Sequence, residues 1–211
     1  MIKEIFIGRK PSEFHMNPIV KAFIMSEIFL WSSWHSIIPI FAIFAATKIP
    51  GGNTEIAASS FSFYLITRVV VELISGKLLI GSGEVKKFVV SIAGITLISV
   101  GYLGFALTKE VLYLFIFYGV IGVGLGIASP AKNSLFSMHI DKDREVSEWS
   151  MYDGFVYMGM AMSAAIGGFI ANRYGFPFLF YIVTITNLLS IIPYVLYVHK
   201  KNSDIKRNLS N

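Results

Sequence analysis

The sequence predicts an all-α integral membrane protein that crosses a bilayer six times, and three observations carry that prediction. Apolar runs long enough to cross a hydrocarbon core, about 20 residues, recur six times along the 211 residues. Charged residues make up only 15% of the chain and hydrophobic ones 55%, with a mean hydropathy of +0.65. A soluble domain covers its surface with charge at about a quarter of its positions, so the solvent of this chain is lipid. The third observation is the placement of the basic residues, which crowd into alternate connections.

The first run, 19–47, follows a polar segment, 1–18, and is too long for the apolar core of a cleavable leader, so no signal peptide is expected. Pro50-Gly51-Gly52-Asn53 then marks a turn before the second run, 56–80. Gly81-Ser82-Gly83 precedes the third, 88–108, and Lys109-Glu110 the fourth, 111–137. The charged string Asp141 to Glu145 separates it from the fifth, 150–171, and Tyr174-Gly175-Phe176-Pro177 introduces the sixth, 176–198. Turn formers and charge clusters are the residues that end helices. A basic tail, 199–211, completes a three-part organisation around a transmembrane domain at 19–198.

Basic residues mark the cytoplasmic side of a membrane protein. Assigning Lys3, Arg9, Lys10 and Lys21 to the N-terminal segment, Lys77, Lys86 and Lys87 to the second connection, and Lys132, Lys142 and Arg144 to the fourth leaves the tail lysines and Arg207. Fourteen basic residues then fall on one side and three (Lys48, Lys109, Arg173) on the other. Both termini are therefore expected in the cytoplasm of a cell-membrane protein, which requires an even number of spans.

Several chemistries are excluded or disfavoured. Without cysteine there is no disulfide or thiolate. The four histidines lack metal-ligand spacing, so no metal site is expected, and nothing calls for a cofactor. The net charge of +5 sits in loops rather than on a nucleic-acid face, so no nucleic-acid partner is expected. Nucleophile elbows and metal clusters of membrane enzymes are missing, and the chain is not expected to be an enzyme.

Ionisable residues inside spans cost a few kcal/mol unless partnered. Glu27 lies in the first run, Arg68 and Glu72 one turn apart in the second. At 1.5 Å rise per residue, Glu27 and Glu72 lie about 9 Å and about 6 Å to the same side of their helix midpoints. A cluster of the three is expected, either as a proton- or cation-coupling site or as a structural ion pair fixing two helices. His35, near the middle of the first run, is expected as a hydrogen-bonded packing histidine or as a functional residue beside the carboxylates. Asp153, close behind the acidic string, suits a helix-capping or gating role through the helix dipole.

The second connection, Gly76-Lys77-Leu78-Leu79-Ile80-Gly81-Ser82-Gly83 followed by Lys86-Lys87, resembles the glycine-and-charge loop of the major facilitator superfamily. Ile80 and Gly81 stand where that loop carries Asp and Arg. Helix four, with Gly122, Gly124, Gly126 and Pro130 and a following loop with Arg144, resembles the family's fourth and tenth helices, with Tyr118 in place of an Arg. Helix five, Gly159 to Gly168, is similar to the antiporter signature, with Ser163-Ala164 in place of Gly-Pro. These departures bring the chain closest to a C-terminal-type half.

The resemblance implies two three-helix inverted repeats and a half-size transporter that moves a small solute by alternating access. The second six-helix half would be the chain itself in a homodimer or another half. Helices one and four would line the cavity, which nominates Trp31, Trp34, His35, Tyr118 and Asn133, although each aromatic residue could equally meet lipid or a neighbouring helix. Gly76, Gly83, Gly122, Gly126, Pro130, Arg144, Gly167 and Gly168 are expected in helix packing or gating. The alternatives are a non-transporting membrane scaffold or accessory subunit, and one half of a longer transporter.

Overall fold

The computed structural model of the chain describes residues 18–197 and His199. All regular structure among these residues is helical. Six helices are long and apolar enough to cross a membrane: α1 Pro18–Lys48, α2 Thr54–Leu78, α3 Glu84–Leu107, α4 Val111–His139, α5 Glu145–Tyr174 and α6 Phe176–Tyr197. Each coincides with one apolar run of the sequence. The segment expected over 1–18 and the tail expected over 199–211 lie outside the described residues, apart from Pro18 and His199.

Local chemistry explains the boundaries. Asn53 caps α2, its side-chain oxygen accepting the Ile56 N–H at 2.9 Å, and so satisfies one of the helix's open donors. Gly175, at φ 88°, makes the reversal between α5 and α6 in a conformation other residues rarely adopt. The fifth and third helices start earlier than hydropathy suggests, at Glu145 and Glu84, because polar first turns project beyond the hydrocarbon. The break in α1 is not visible as a gap in hydropathy. α1 is α-helical over Pro18–His35 and Phe41–Lys48, with a 3₁₀ turn at Ile38–Ile40 between them. Pro39 lacks the N–H an uninterrupted helix would need there. Pro130, by contrast, sits within an unbroken α4.

Successive helices alternate in direction. The starts of α1, α3 and α5 and the ends of α2, α4 and α6 form one end of the bundle, which also holds Lys21, Lys77, Lys86, Lys87, Lys142 and Arg144. We call this the basic end. α2 and α3 pack along α4, α5 and α6 pack along α1, and α3 meets α6; α1 and α4 approach each other only slightly. Polar ties cross the apolar interior where α3, α6 and α1 meet. Asn187 donates to the Ile95 carbonyl at 3.0 Å and to Ser99 Oγ at 2.8 Å, and Ser26 Oγ donates to the Ser190 carbonyl at 2.6 Å.

Glycines set the closest approaches. A Cβ on Gly94 would meet the Gly124 carbonyl, and one on Gly124 the Gly94 carbonyl, so α3 and α4 touch backbone to backbone. Gly122 and Gly126 admit α2 in the same way, through Tyr64, Arg68 and Val71, and Gly167 receives the Ser36 backbone in the break of α1. Such contacts replace the hydrophobic drive that lipid removes. Gly76, Gly83 and Gly168 differ from expectation: a Cβ at any of them meets open space, so they pack against nothing among the described residues. Gly76 lies in the last turn of α2 and Gly83 immediately before α3, beyond the close interhelical contacts.

Candidate functional site

A carboxylate on α1 organises the interior near the basic end. Glu27, three turns into α1, is 5% exposed, and Lys132 of α4 is 4% exposed. Lys132 Nζ donates to Glu27 Oε1 at 2.6 Å. Trp31 Nε1, one turn further along α1, donates to Oε2 at 2.9 Å. The Tyr152 hydroxyl of α5 donates to the same oxygen at 3.2 Å. One ion pair and two neutral donors thus satisfy a charge that would be expensive alone in a low-dielectric interior. Beside it lies a recess of about 10 Å³, lined by Phe23, Asn133, Phe136 and Trp149 together with the paired residues, room for about one water molecule.

The arrangement corrects the expected cluster of Glu27, Arg68 and Glu72. Glu27 turns toward α4 and α5, whereas Arg68 stays on α2. Its Nε donates to Glu72 Oε2 at 3.2 Å and another guanidinium nitrogen donates to the Tyr64 hydroxyl at 3.2 Å. Similar depth along two helices does not put side chains on facing sides. The α2 pair is also open, its side chains 24% and 36% exposed.

The aromatic candidates divide. Trp34 is 7% exposed and Tyr118 1%. Trp34 lies 4.8 Å from Tyr64 and 6.4 Å from Tyr118 between ring centroids, and Phe41 lies 4.5 Å from Tyr118. Both are closed into an aromatic core of α1, α2 and α4 and do not line an open cavity in this conformation; Phe41, beyond the break in α1, packs against Tyr118. Trp31 and His35 remain half-buried and Asn133 is exposed. A ring nitrogen of His35 hydrogen-bonds the Trp31 carbonyl at 3.0 Å.

A family model described as Major Facilitator Superfamily matches residues 23–211. The chain belongs to the Major Facilitator Superfamily. It is also 30% identical over 131 residues to the "Sodium-dependent phosphate transport protein 1, chloroplastic" of Arabidopsis thaliana, a match covering 60% of this chain and 24% of that protein. The chain therefore spans about a quarter of the length of that relative.

For a Major Facilitator Superfamily chain, the residue that sequence reasoning misplaced is the informative one. The charge pattern groups Lys132 with the loop lysines of the fourth connection, although it lies inside the apolar run 111–137. Its position two residues after Pro130, on the continuation of the glycine-bearing helix, was the available signal. Two other positions differ from expectation. Asp153 is exposed in the third turn of α5 and caps nothing, since the first turn holds Glu145 and Glu148. Glu148 instead accepts the Asp141 N–H at 3.2 Å across the connection. Arg144 immediately precedes α5, its N–H donating to the Asp141 carbonyl at 3.1 Å.

Proposed function

We propose that this chain moves a small solute across the membrane by alternating access, working with a second six-helix half. That half belongs to the same polypeptide, a second copy or another chain. The observation that carries the reading is the Glu27–Lys132 pair, buried at 5% and 4% exposure between two helices that otherwise scarcely touch. A passive scaffold has little reason to bear the cost of placing these charges within an apolar bundle, whereas a bundle that opens and closes needs a polar contact between its moving parts.

Further features support the reading. Only 17% of the apolar window is buried in α2 and in α5, against 56% in α3, which leaves two long faces for another half. The packing of α2 on α4 is echoed by α5 on α1, and that of α3 on α4 by α6 on α1, as an inverted repeat of three helices would require. The six lysines and arginines of the basic end, against Lys48, Lys109 and Arg173, favour a cytoplasmic location for that end in the cell membrane.

The test uses the absence of cysteine from the chain. A His35→Cys variant in right-side-out and inside-out vesicles is treated with a membrane-impermeant maleimide. Alternating access predicts labelling from both sides, and uptake of a labelled solute that the variant retains. Inorganic phosphate under a sodium gradient is the first solute to assay, given the phosphate transport protein it resembles. Labelling from one side only, or from neither, would sink the alternating-access reading.

A further inference from the structure

We propose that the groove between α2 and α3 at the basic end binds an anionic phospholipid, with an acyl chain along the groove and the headgroup phosphate at Lys86. The groove encloses about 360 Å³, within the size range of small-molecule sites. Val71, Ile74 and Leu78 of α2, Val90 of α3 and Ile127 of α4 form its walls, and Lys86 stands among the lining residues. Val71 to Leu78 extend over about 10 Å of helix, and Lys86 stands in the first turn of α3, beside the connection that joins it to α2.

The groove opens on the outside of the bundle. Ile74 is 54% and Leu78 69% exposed, and the α-carbon of Gly76 faces open space. The polar atom in its wall is already engaged, since Ser75 Oγ donates to the Ile127 carbonyl at 3.4 Å. An occupant therefore gains nothing from hydrogen bonding along the walls and must be apolar there.

Charge decides the class of headgroup. Lys86 and its neighbour across the turn, Lys77, are exposed, and neither pairs with a carboxylate among the described residues. The acid nearest in sequence, Glu84, lies 3.1 Å from His139 and receives the Tyr197 hydroxyl at 3.4 Å. Lys87 is drawn to Ser134 at 2.8 Å. Lys86 thus brings an ammonium into the lining of an apolar slot, with a second, Lys77, exposed in the last turn of α2, the pattern that recognises acidic headgroups between transmembrane helices. A zwitterionic lipid would bring its own cation toward them. The molecule contains its own comparison: the groove of about 560 Å³ between α2, α3 and α4 toward the other end, lined by Phe63, Leu112 and Phe115, has no lysine in its lining.

Native mass spectrometry of the purified chain, exchanged into mixtures of phosphatidylglycerol and phosphatidylcholine with identical acyl chains, tests the proposal. Wild type is expected to retain phosphatidylglycerol about tenfold over phosphatidylcholine. Lys86→Gln should cut that preference about fivefold, the effect of one cation facing an acidic headgroup, and Lys77→Gln/Lys86→Gln should abolish it. Both positions are exposed, so folding is not at risk, and Val90→Trp, which fills the groove, should lose the lipid by a separate route. Equal retention of the two lipids, an unchanged preference in the double variant, or competition by glycerol phosphate at the same concentration would overturn it; the last would mark a site for free phosphate. The proposal does not depend on transport.

Discussion

Two intramembrane ion pairs among the described residues are of the same chemical kind in opposite settings. Glu27 and Lys132 join α1 to α4 across the interior, with side chains 6% and 5% exposed; Arg68 and Glu72 lie one turn apart on α2, at 24% and 36%. The first is held by tertiary structure, since both partners come from distant parts of the chain and Trp31 and Tyr152 complete the carboxylate's shell. The second is written into a single helix and would persist if the others were removed. One pair thus depends on the bundle being closed, and the other is indifferent to it. The difference teaches which charges a conformational change must disturb.

The largest expected effect follows from breaking the buried pair on one side. Glu27→Leu leaves the Lys132 ammonium without its counter-ion at 4% exposure, and stability should fall by about 3–5 kcal/mol. Unfolding titrations in detergent would measure it. Glu27→Leu/Lys132→Met should recover most of the loss, because the cost lies in the unpaired charge rather than the missing attraction. If the double variant is no better than the single, the pair does not behave as a buried unit. A smaller effect is expected from Tyr152→Phe, which deletes one neutral donor to Glu27 Oε2 and should cost about 1 kcal/mol.

The sequence made the helices legible and their facing sides much less so. Apolar length alone located all six spans, because the requirement to cross hydrocarbon is one-dimensional. Arg68 with Glu72 could be anticipated for a similar reason, since four residues of separation on a helix places two side chains together whatever surrounds them. Glu27 was recognised as out of place in lipid, but its partner depends on how α1, α4 and α5 rotate about their axes, and no local spacing encodes that. Lys132 shows the difficulty plainly. A lysine near a helix end reads as a loop cation until the structure shows it turned inward. The glycines behave alike: Gly122, Gly124 and Gly126 belonged to a ladder and do pack, whereas Gly76 and Gly168 have the same composition signal and touch nothing.

The smallest effect is the sharpest test of the contrast. Glu72→Gln removes the charge of a pair that is already partly open and leaves Arg68 on the Tyr64 hydroxyl, and exposed i, i+4 pairs contribute only about 0.2–0.5 kcal/mol. Its unfolding curve should therefore nearly overlay that of wild type. A loss of 3 kcal/mol or more would mean that the pair is buried in the working assembly, covered by whatever meets α2. That outcome would erase the distinction between the two pairs and, because α2 is one of the two sparsely covered helices, would identify this face as a contact of the second half. Near-neutrality in the isolated chain, together with loss of solute uptake, would instead place Arg68 and Glu72 on the solute's path.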